Sequence, residues 1–111
     1  MAEFSRKLKP IYSAESIADL DEIWDWNAAQ HGEIHASQYR EFLKLQTLKL
    51  TELKNPGREV PTRTTYRYAV IKRRQRGYGH IVIFQIEGEV MTILHYYHTA
   101  QDWQTKVGKE K

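Results

Sequence analysis

The residues with the most chemical potential in this 111-residue chain lie in one stretch near its C-terminus. After a predicted turn at Glu87-Gly88, the sequence EVMTILHYYHTAQDW places His95 and His98 beside two tyrosines and just before Trp103. Histidine titrates near neutral pH and often acts as a general acid or base, so His95 and His98 are the candidate catalytic residues. Histidine and tyrosine are also common at the half-buried end of a strand, so a structural role fits the same stretch.

Cationic side chains form a second feature that could carry chemistry. No acidic residue occurs between Val60 and Ile86, whereas acids are concentrated in the segment from Glu15 to Asp25. This asymmetry favours an anionic partner for the basic part, although charges also protect an exposed edge strand. We therefore predict a target-binding region that comprises Arg58, Arg63, Arg67, Arg73, Arg74, His98 and Trp103.

Two kinds of chemistry remain open from the residues alone. In the first, Arg67 and Arg73 hold a phosphate while His95 or His98 moves protons, as RNA cleavage requires. In the second, the region only binds. A metal site at His80, His95 and His98 lacks short ligand spacing, so we predict no metal and no cofactor. The absence of cysteine excludes disulfides, thiol catalysis and thiolate ligands.

The composition predicts one folded domain spanning residues 1–111. The chain is 41% hydrophobic and 28% charged, with a formal net charge of +3. Its apolar runs are too short to cross a membrane, and its start lacks the apolar segment of a secretory signal, so we expect a cytoplasmic protein. We expect an ordered core over about residues 4–103 and a frayed tail over 104–111.

The periodicity of the first half predicts a strand and two helices. Residues 4–12 suit a strand, and Pro10 favours an edge position. Ser13 is a suitable helix N-cap and Gly32 a suitable stop. A second helix should run over residues 33–54 and end at Asn55-Pro56-Gly57, giving an antiparallel helix hairpin. Its apolar residues are Tyr39, Phe42, Leu43, Leu50 and Leu53, widened by Leu45 and Leu48.

The second half predicts three strands, over residues 65–73, 80–86 and 90–98, which follow a connector over 58–64. They should form an antiparallel meander that the first strand joins. The fold class is therefore α+β, with the helix hairpin on one face of the sheet and no second layer on the other. Strict alternation along the last strand would put His95 and Tyr97 with Met91 and Ile93. We expect the core to include Trp24, Phe42, Leu50, Ile83, Phe84 and Leu94.

The chain resembles the ParE/RelE superfamily of toxins from type II toxin–antitoxin systems. The resemblance rests on YSAESIADLDEIWDW in the first helix, LKNPGR after the second helix and IVIFQIEGEVMTILHYYHTAQDW in the last two strands. It implies a strand, two helices and three strands, together with a cognate antitoxin whose extended segment lies over the toxin.

The superfamily has two main activities, and the motifs favour one of them. RelE-like members cleave messenger RNA on the ribosome, whereas ParE-like members inhibit DNA gyrase and have no nuclease site. Gly79-His80-Ile81 stands where RelE-like toxins carry a tyrosine-arginine pair, while His98 to Asp102 resembles the ParE-like closing motif His-Gly-Ala-Arg-Asp, with Gln101 in place of its arginine. We therefore expect a non-enzymatic gyrase inhibitor, with a ribosome-dependent endoribonuclease as the alternative.

Overall fold

The computed structural model describes residues 7–75 and 77–109. Within these residues the elements are β1 (Lys9–Tyr12), α1 (Ala14–His31), α2 (Glu33–Leu50), β2 (Arg58–Val60), β3 (Arg63–Ile71), β4 (His80–Glu87), β5 (Val90–His98) and α3 (Trp103–Gly108). The sheet has the order β1-β5-β4-β3-β2, with β1 parallel to β5 and the other pairs antiparallel. The predicted α+β class is confirmed, as are the helix hairpin and the edge position of β1. None of the helices in these two ranges has the length and apolar character that a bilayer crossing needs.

The helix hairpin begins and turns where its sequence predicts. The Ser13 hydroxyl oxygen accepts a hydrogen bond from the Ser16 N–H at 3.0 Å and so caps α1. Gly32 has a φ of 91° and links α1 directly to α2, a backbone conformation that favours glycine. The second helix ends at Leu50 rather than Lys54. The carbonyl of Thr51 accepts instead from the N–H of Leu8, at 2.9 Å, because the chain before β1 lies against it.

The buried face of α2 is narrower than predicted. Ala36, Leu43 and Thr47 face the core, whereas Leu45, Leu48 and Leu53 are exposed. On α1, Ile17 is likewise half exposed at 50%. The wider stripe is therefore wrong, because each helix contacts the sheet along only one line of side chains.

The segment 58–60 is a strand and not part of a connector. It pairs antiparallel with β3, with Arg58 opposite Tyr68, and the register shifts between Glu59 and Val60. Three residues with two charges show no alternation, so the sequence carries no signal for this edge strand. The meander consequently has four strands. Its last turn lies at Gly88 and Glu89, one residue later than predicted, and Gly88 has a φ of 60°.

The described part of the predicted tail is a helix. In α3, Trp103 and Val107 are buried against Val60, Ile81 and Ile83. Along β4, Ile81 and Ile83 alternate with Val82 and Phe84, which contact the helix hairpin. Helix α3 therefore covers the opposite face of the sheet. The predictions of a frayed tail and of an uncovered second face are therefore wrong at this end. The four-residue spacing of Trp103 and Val107, after Asp102 as an N-cap, was the available signal.

A β-bulge changes the faces of β5. Ile83 pairs with His95 and Phe84 with Ile93, so Leu94 is an extra residue without a partner on β4. As a result Tyr96 joins Met91 and Ile93 in the core beneath the helix hairpin, whereas Leu94 and Tyr97 pack on the α3 side. The strict alternation predicted for this strand is wrong beyond Leu94.

The predicted core residues divide between the two faces of the sheet. Phe84 is buried beneath the helix hairpin as expected, with Phe42 and Leu50 half-buried beside it. Ile83 is buried, and Leu94 half-buried, on the α3 side. Trp24 is half-buried, and its indole N–H donates to the Ser37 hydroxyl at 3.1 Å.

Candidate functional site

A cleft of about 1020 Å³ lies between the helix hairpin and the end of the sheet where β4 begins and β5 ends. We call it the cleft throughout. The walls come from α1, α2, the β3–β4 loop and the first turns of α3. The side chains in it with the most chemical potential are Tyr39, Arg73, Arg74, Tyr78, His80 and His98.

The N-cap residue of α1, Ser13, and one residue within α1, Asp19, stabilise the bulge near the end of β5. The Ser13 hydroxyl donates to the Leu94 carbonyl at 3.0 Å. One carboxylate oxygen of Asp19 accepts the Tyr96 N–H at 3.0 Å and lies 3.0 Å from His95 Nδ1. Backbone groups that a bulge removes from the ladder thus find partners on the helix. The sequence gives no sign of this role, because Asp19 looks like any other acid on α1.

His95 contacts Asp19, the residue that stabilises the bulge, and it does not line the cleft. Its ring pairs with Asp19 and stacks on Tyr97, with 5.2 Å between ring centroids. One of the two candidate catalytic histidines is therefore placed away from the arginines that would hold a phosphate. Packing and hydrogen bonding therefore explain the histidine at this position.

His80 forms the floor of the cleft and is nearly buried. Its Nδ1 lies 2.6 Å from the Tyr39 hydroxyl. Burial, with a smaller contribution from His98, lowers the pKa of His80 from 6.5 to about 4, and burial raises the pKa of Tyr39 from 10.0 to about 12. At neutral pH the His80 ring is therefore uncharged and the Tyr39 hydroxyl keeps its proton, and the tautomer of His80 decides which of the two groups donates. Sequence analysis did not identify this pair as functional.

His98 ends β5 at the rim of the cleft. Its ring lies edge-on to His80 and tilted against Tyr78, each at 5.3 Å between centroids. Its Nδ1 accepts the Ala100 N–H at 3.0 Å, and its own N–H donates to the Gln101 side-chain carbonyl at 2.8 Å. Gln101, which stands at the arginine position of the closing motif, thus fixes the turn that follows the strand.

The predicted cationic residues do not form one cluster. Arg73 and Arg74 line the cleft, and the Arg73 guanidinium lies 5.9 Å from the Tyr39 ring and 5.5 Å from the Phe42 ring. Arg58 lies on the edge strand β2, and Arg63 lies 4.6 Å from the Tyr66 ring at the start of β3. The structure therefore brings Arg73 and Arg74 to His98, places Arg63 at the far end of β3 and leaves Arg58 opposite Tyr68, between these two ends.

Arg67 and Trp103 are held inside the fold. The Arg67 guanidinium donates to the carbonyls of Pro56 and Gly57, at 2.7 and 3.0 Å, and to the Asn55 side chain at 3.0 Å. Trp103 is buried against Tyr68, with 4.7 Å between ring centroids. Both side chains stabilise elements that the cleft or its neighbouring strands depend on.

The structure does not bring together the residues on which the RNA-cleavage alternative depends. Arg67 is occupied by the loop at 55–57, and four strand residues, roughly 13 Å, separate it from the end of β3 near Arg73. These two arginines therefore do not meet at one phosphate. His80 stays uncharged at neutral pH and His95 is outside the cleft, so only one of the two candidate catalytic histidines, His98, lines the cleft, together with His35 of α2.

Comparison with known proteins gives one family and a related fold. The family model described as ParE toxin of type II toxin-antitoxin system, parDE, matches residues 11–103. A solved structure described as the chromosomal ParDE TA system from P. aeruginosa is similar, with a TM-score of 0.70 and 19% sequence identity. The match covers 84% of this chain and 97% of that chain, and at this identity it shows a shared fold. No curated protein sequence matches the chain.

Proposed function

The chain belongs to the ParE family of toxins from type II toxin–antitoxin systems, and on that premise we propose that it inhibits DNA gyrase by binding it. In this proposal a cognate antitoxin neutralises the toxin, and the two proteins meet in the cytoplasm where gyrase works. Inhibition by binding needs a complementary surface and no bond-making step.

The observation that supports binding over catalysis is the state of the histidines. His80 is an uncharged ring held by Tyr39, and His95 is paired with the carboxylate that supports the β5 bulge. His95 does not line the cleft, and His80 is uncharged at neutral pH and so is not poised as a general acid. Arg73, Arg74 and His98 instead present charge and hydrogen-bond donors at its rim.

Within the predicted target-binding region, the residues act in different ways. Arg73, Arg74 and His98 make direct contacts with the target at the cleft. Arg63 at the other end of β3 and Arg58 opposite Tyr68 offer further basic contacts outside the cleft. Arg67 and Trp103 contribute indirectly, because their side chains hold the 55–57 loop and the second core.

The antitoxin surface is proposed on the outer side of α2. Ile34 is 78% exposed and Leu45 52% exposed, and Leu48 lies on the same helical face one turn further on. An amphipathic antitoxin segment would cover this apolar line, as helices commonly do in grooves and on faces of partner proteins. A tight complex of this kind buries on the order of 2,000 Å² or more.

A gyrase supercoiling assay with variants tests the proposal. Wild-type protein should inhibit supercoiling, and Arg74→Glu should raise the required concentration at least about tenfold, because repulsion replaces attraction to an acidic surface. Lys72→Glu is the matched control, since this exposed residue is two positions away along the chain and does not line the cleft. His98→Ala should have a smaller effect. Full inhibition by Arg74→Glu, or no inhibition by the wild type, would contradict the proposal.

A further inference from the structure

The β3–β4 loop and the end of β5 bring several hydrogen-bond donors to one wall of the cleft. Arg73 and Arg74 carry guanidinium groups, and the exposed Tyr78 adds a hydroxyl beside His98. The Nδ1 atoms of His80 and His98 are already engaged, the first with the Tyr39 hydroxyl and the second with the Ala100 N–H. A ligand at this wall therefore meets donors, which suits a carboxylate or another compact anion.

Arg73 is held in place before any ligand arrives. Its guanidinium lies within 6 Å of the Tyr39 and Phe42 ring centroids, the range in which a cation is attracted to an aromatic face. A long side chain fixed in this way loses less conformational entropy when it binds an anion. Arg74 is exposed, follows it directly and also lines the cleft, so a carboxylate there meets two guanidinium groups.

Two acidic residues of α1 also line the cleft and weigh against a ligand with many negative charges. Asp19 and Glu22 of α1 line the same cleft. The Asp19 carboxylate is engaged by Tyr96 and His95, whereas Glu22 is exposed and would repel a second negative charge. A nucleic acid carries a charge on every phosphate and would meet this repulsion, while a peptide with a single acidic side chain would avoid it.

The cleft also offers apolar contact for the rest of a peptide. Trp26 and Tyr78 line it with 61% and 76% of their surfaces exposed. Its volume of about 1020 Å³ lies at the upper end of ordinary ligand sites, so it accommodates more than one side chain. Large exposed aromatic rings are typical anchors of protein interfaces.

We infer that the cleft anchors an extended segment of a partner protein, with one carboxylate side chain on Arg73 and Arg74 and an apolar neighbour against Trp26 and Tyr78. This inference rests on the proposed function, in which the chain acts by binding a protein. It adds the chemistry that the partner must present.

The test is an NMR titration of the full chain with two blocked tetrapeptides. Ac-Gly-Glu-Phe-Gly-NH₂ should shift the amides of Arg74, Tyr78 and His98, and Ac-Gly-Gln-Phe-Gly-NH₂ should bind about tenfold more weakly, as the loss of a charge-assisted contact predicts. Arg74→Gln should weaken the glutamate peptide by a similar factor, whereas Lys72→Gln, which removes the same charge outside the cleft, should not. Three results would overturn the inference: equal binding of the two peptides, unchanged binding of the glutamate peptide by Arg74→Gln, or a uridine hexanucleotide that binds more tightly than the glutamate peptide and displaces it.

The same proteins in the supercoiling assay separate this inference from the proposed function. Wild-type protein that binds the glutamate peptide in the cleft but leaves gyrase active would support the carboxylate site and contradict gyrase as the target. Protein that inhibits gyrase but does not distinguish the two peptides would support the target and contradict the carboxylate site.

Discussion

At the scale of single residues, Asp19 shows how one carboxylate shapes the end of a strand. The bulge at Leu94 turns Tyr96 into the core and thereby fixes which side chains of β5 reach the cleft. Asp19 accepts from both Tyr96 and His95, and Ser13 satisfies the Leu94 carbonyl. The direction in which the side chains of β5 point thus depends on contacts with α1, which is far away in sequence.

Replacing Asp19 should therefore destabilise the fold through the bulge. Asp19→Ala leaves the Tyr96 N–H without its acceptor, so we expect a loss of about 1–3 kcal/mol in the free energy of unfolding. Asp19→Asn keeps a carbonyl acceptor and should lose less. Urea unfolding measures both, with Asp25→Ala on the exposed side of α1 as the control. If Asp19→Ala were as stable as Asp25→Ala, the bulge would not depend on this carboxylate.

The buried His80 should make stability depend on pH in a defined window. The folded chain holds the pKa of His80 at about 4, whereas the unfolded residue titrates near 6.5. Between these two pH values the unfolded state binds a proton that the folded state does not. The contribution of uncharged His80 to the free energy of unfolding is therefore complete above pH 6.5 and is lost as the pH falls to 4. The full contribution is roughly 3 kcal/mol.

The variant His80→Gln tests this window, because its side-chain carbonyl can still accept from Tyr39 without binding a proton. Its free energy of unfolding should fall less steeply than that of the wild type between pH 6.5 and 4.5. His31→Gln, at an exposed histidine, should leave the slope unchanged. Parallel slopes for wild type and His80→Gln would show that His80 titrates normally.

At the scale of elements, the short α3 stabilises the face of the sheet that the helix hairpin leaves open. Trp103 packs on Tyr68 and Val107 is fully buried beside Val60 and Ile81. A side chain of Thr62 also donates to the Gln104 carbonyl at 2.7 Å and ties α3 to the β2–β3 turn. The described C-terminal residues are therefore part of the fold.

Two tryptophans of opposite exposure test this role of α3. Trp103→Ala should reduce the free energy of unfolding by about 3–5 kcal/mol, as expected for a large buried side chain. Trp26→Ala removes the same side chain from an exposed position and should change stability by less than about 0.5 kcal/mol. Urea unfolding of both variants measures the difference. Similar values for the two would mean that α3 does not contribute to the core.

The elements also show where sequence reasoning works. Ser13 and Gly32 marked the ends of α1 because caps and stops are local chemistry. The β2 strand and the bulge depend on partners distant in sequence, so no local pattern marks them. In the cleft, Arg73, Arg74 and His98 were predicted, whereas Tyr39 and His80 were missed because only the packing of α2 on the sheet brings them together.

At the scale of the whole molecule, the cleft and the exposed apolar line of α2 occupy separate parts of the surface. The cleft opens between the helix hairpin and the end of the sheet, and both arginines and acidic residues line it. The exposed apolar line of α2 lies on the helix hairpin, outside the set of residues that form the cleft. One small domain can thus offer separate contacts to a target and to an antitoxin.

The central claim is that this ParE-family toxin acts by binding gyrase and makes no cut in RNA. The most direct measurement adds one preparation of the full chain, in parallel, to gyrase with relaxed plasmid and to ribosomes translating a defined messenger RNA. We predict loss of supercoiling at protein concentrations that leave the messenger RNA intact. Messenger RNA cleaved at codon positions, with cleavage abolished by His98→Ala and supercoiling unaffected, would contradict the account.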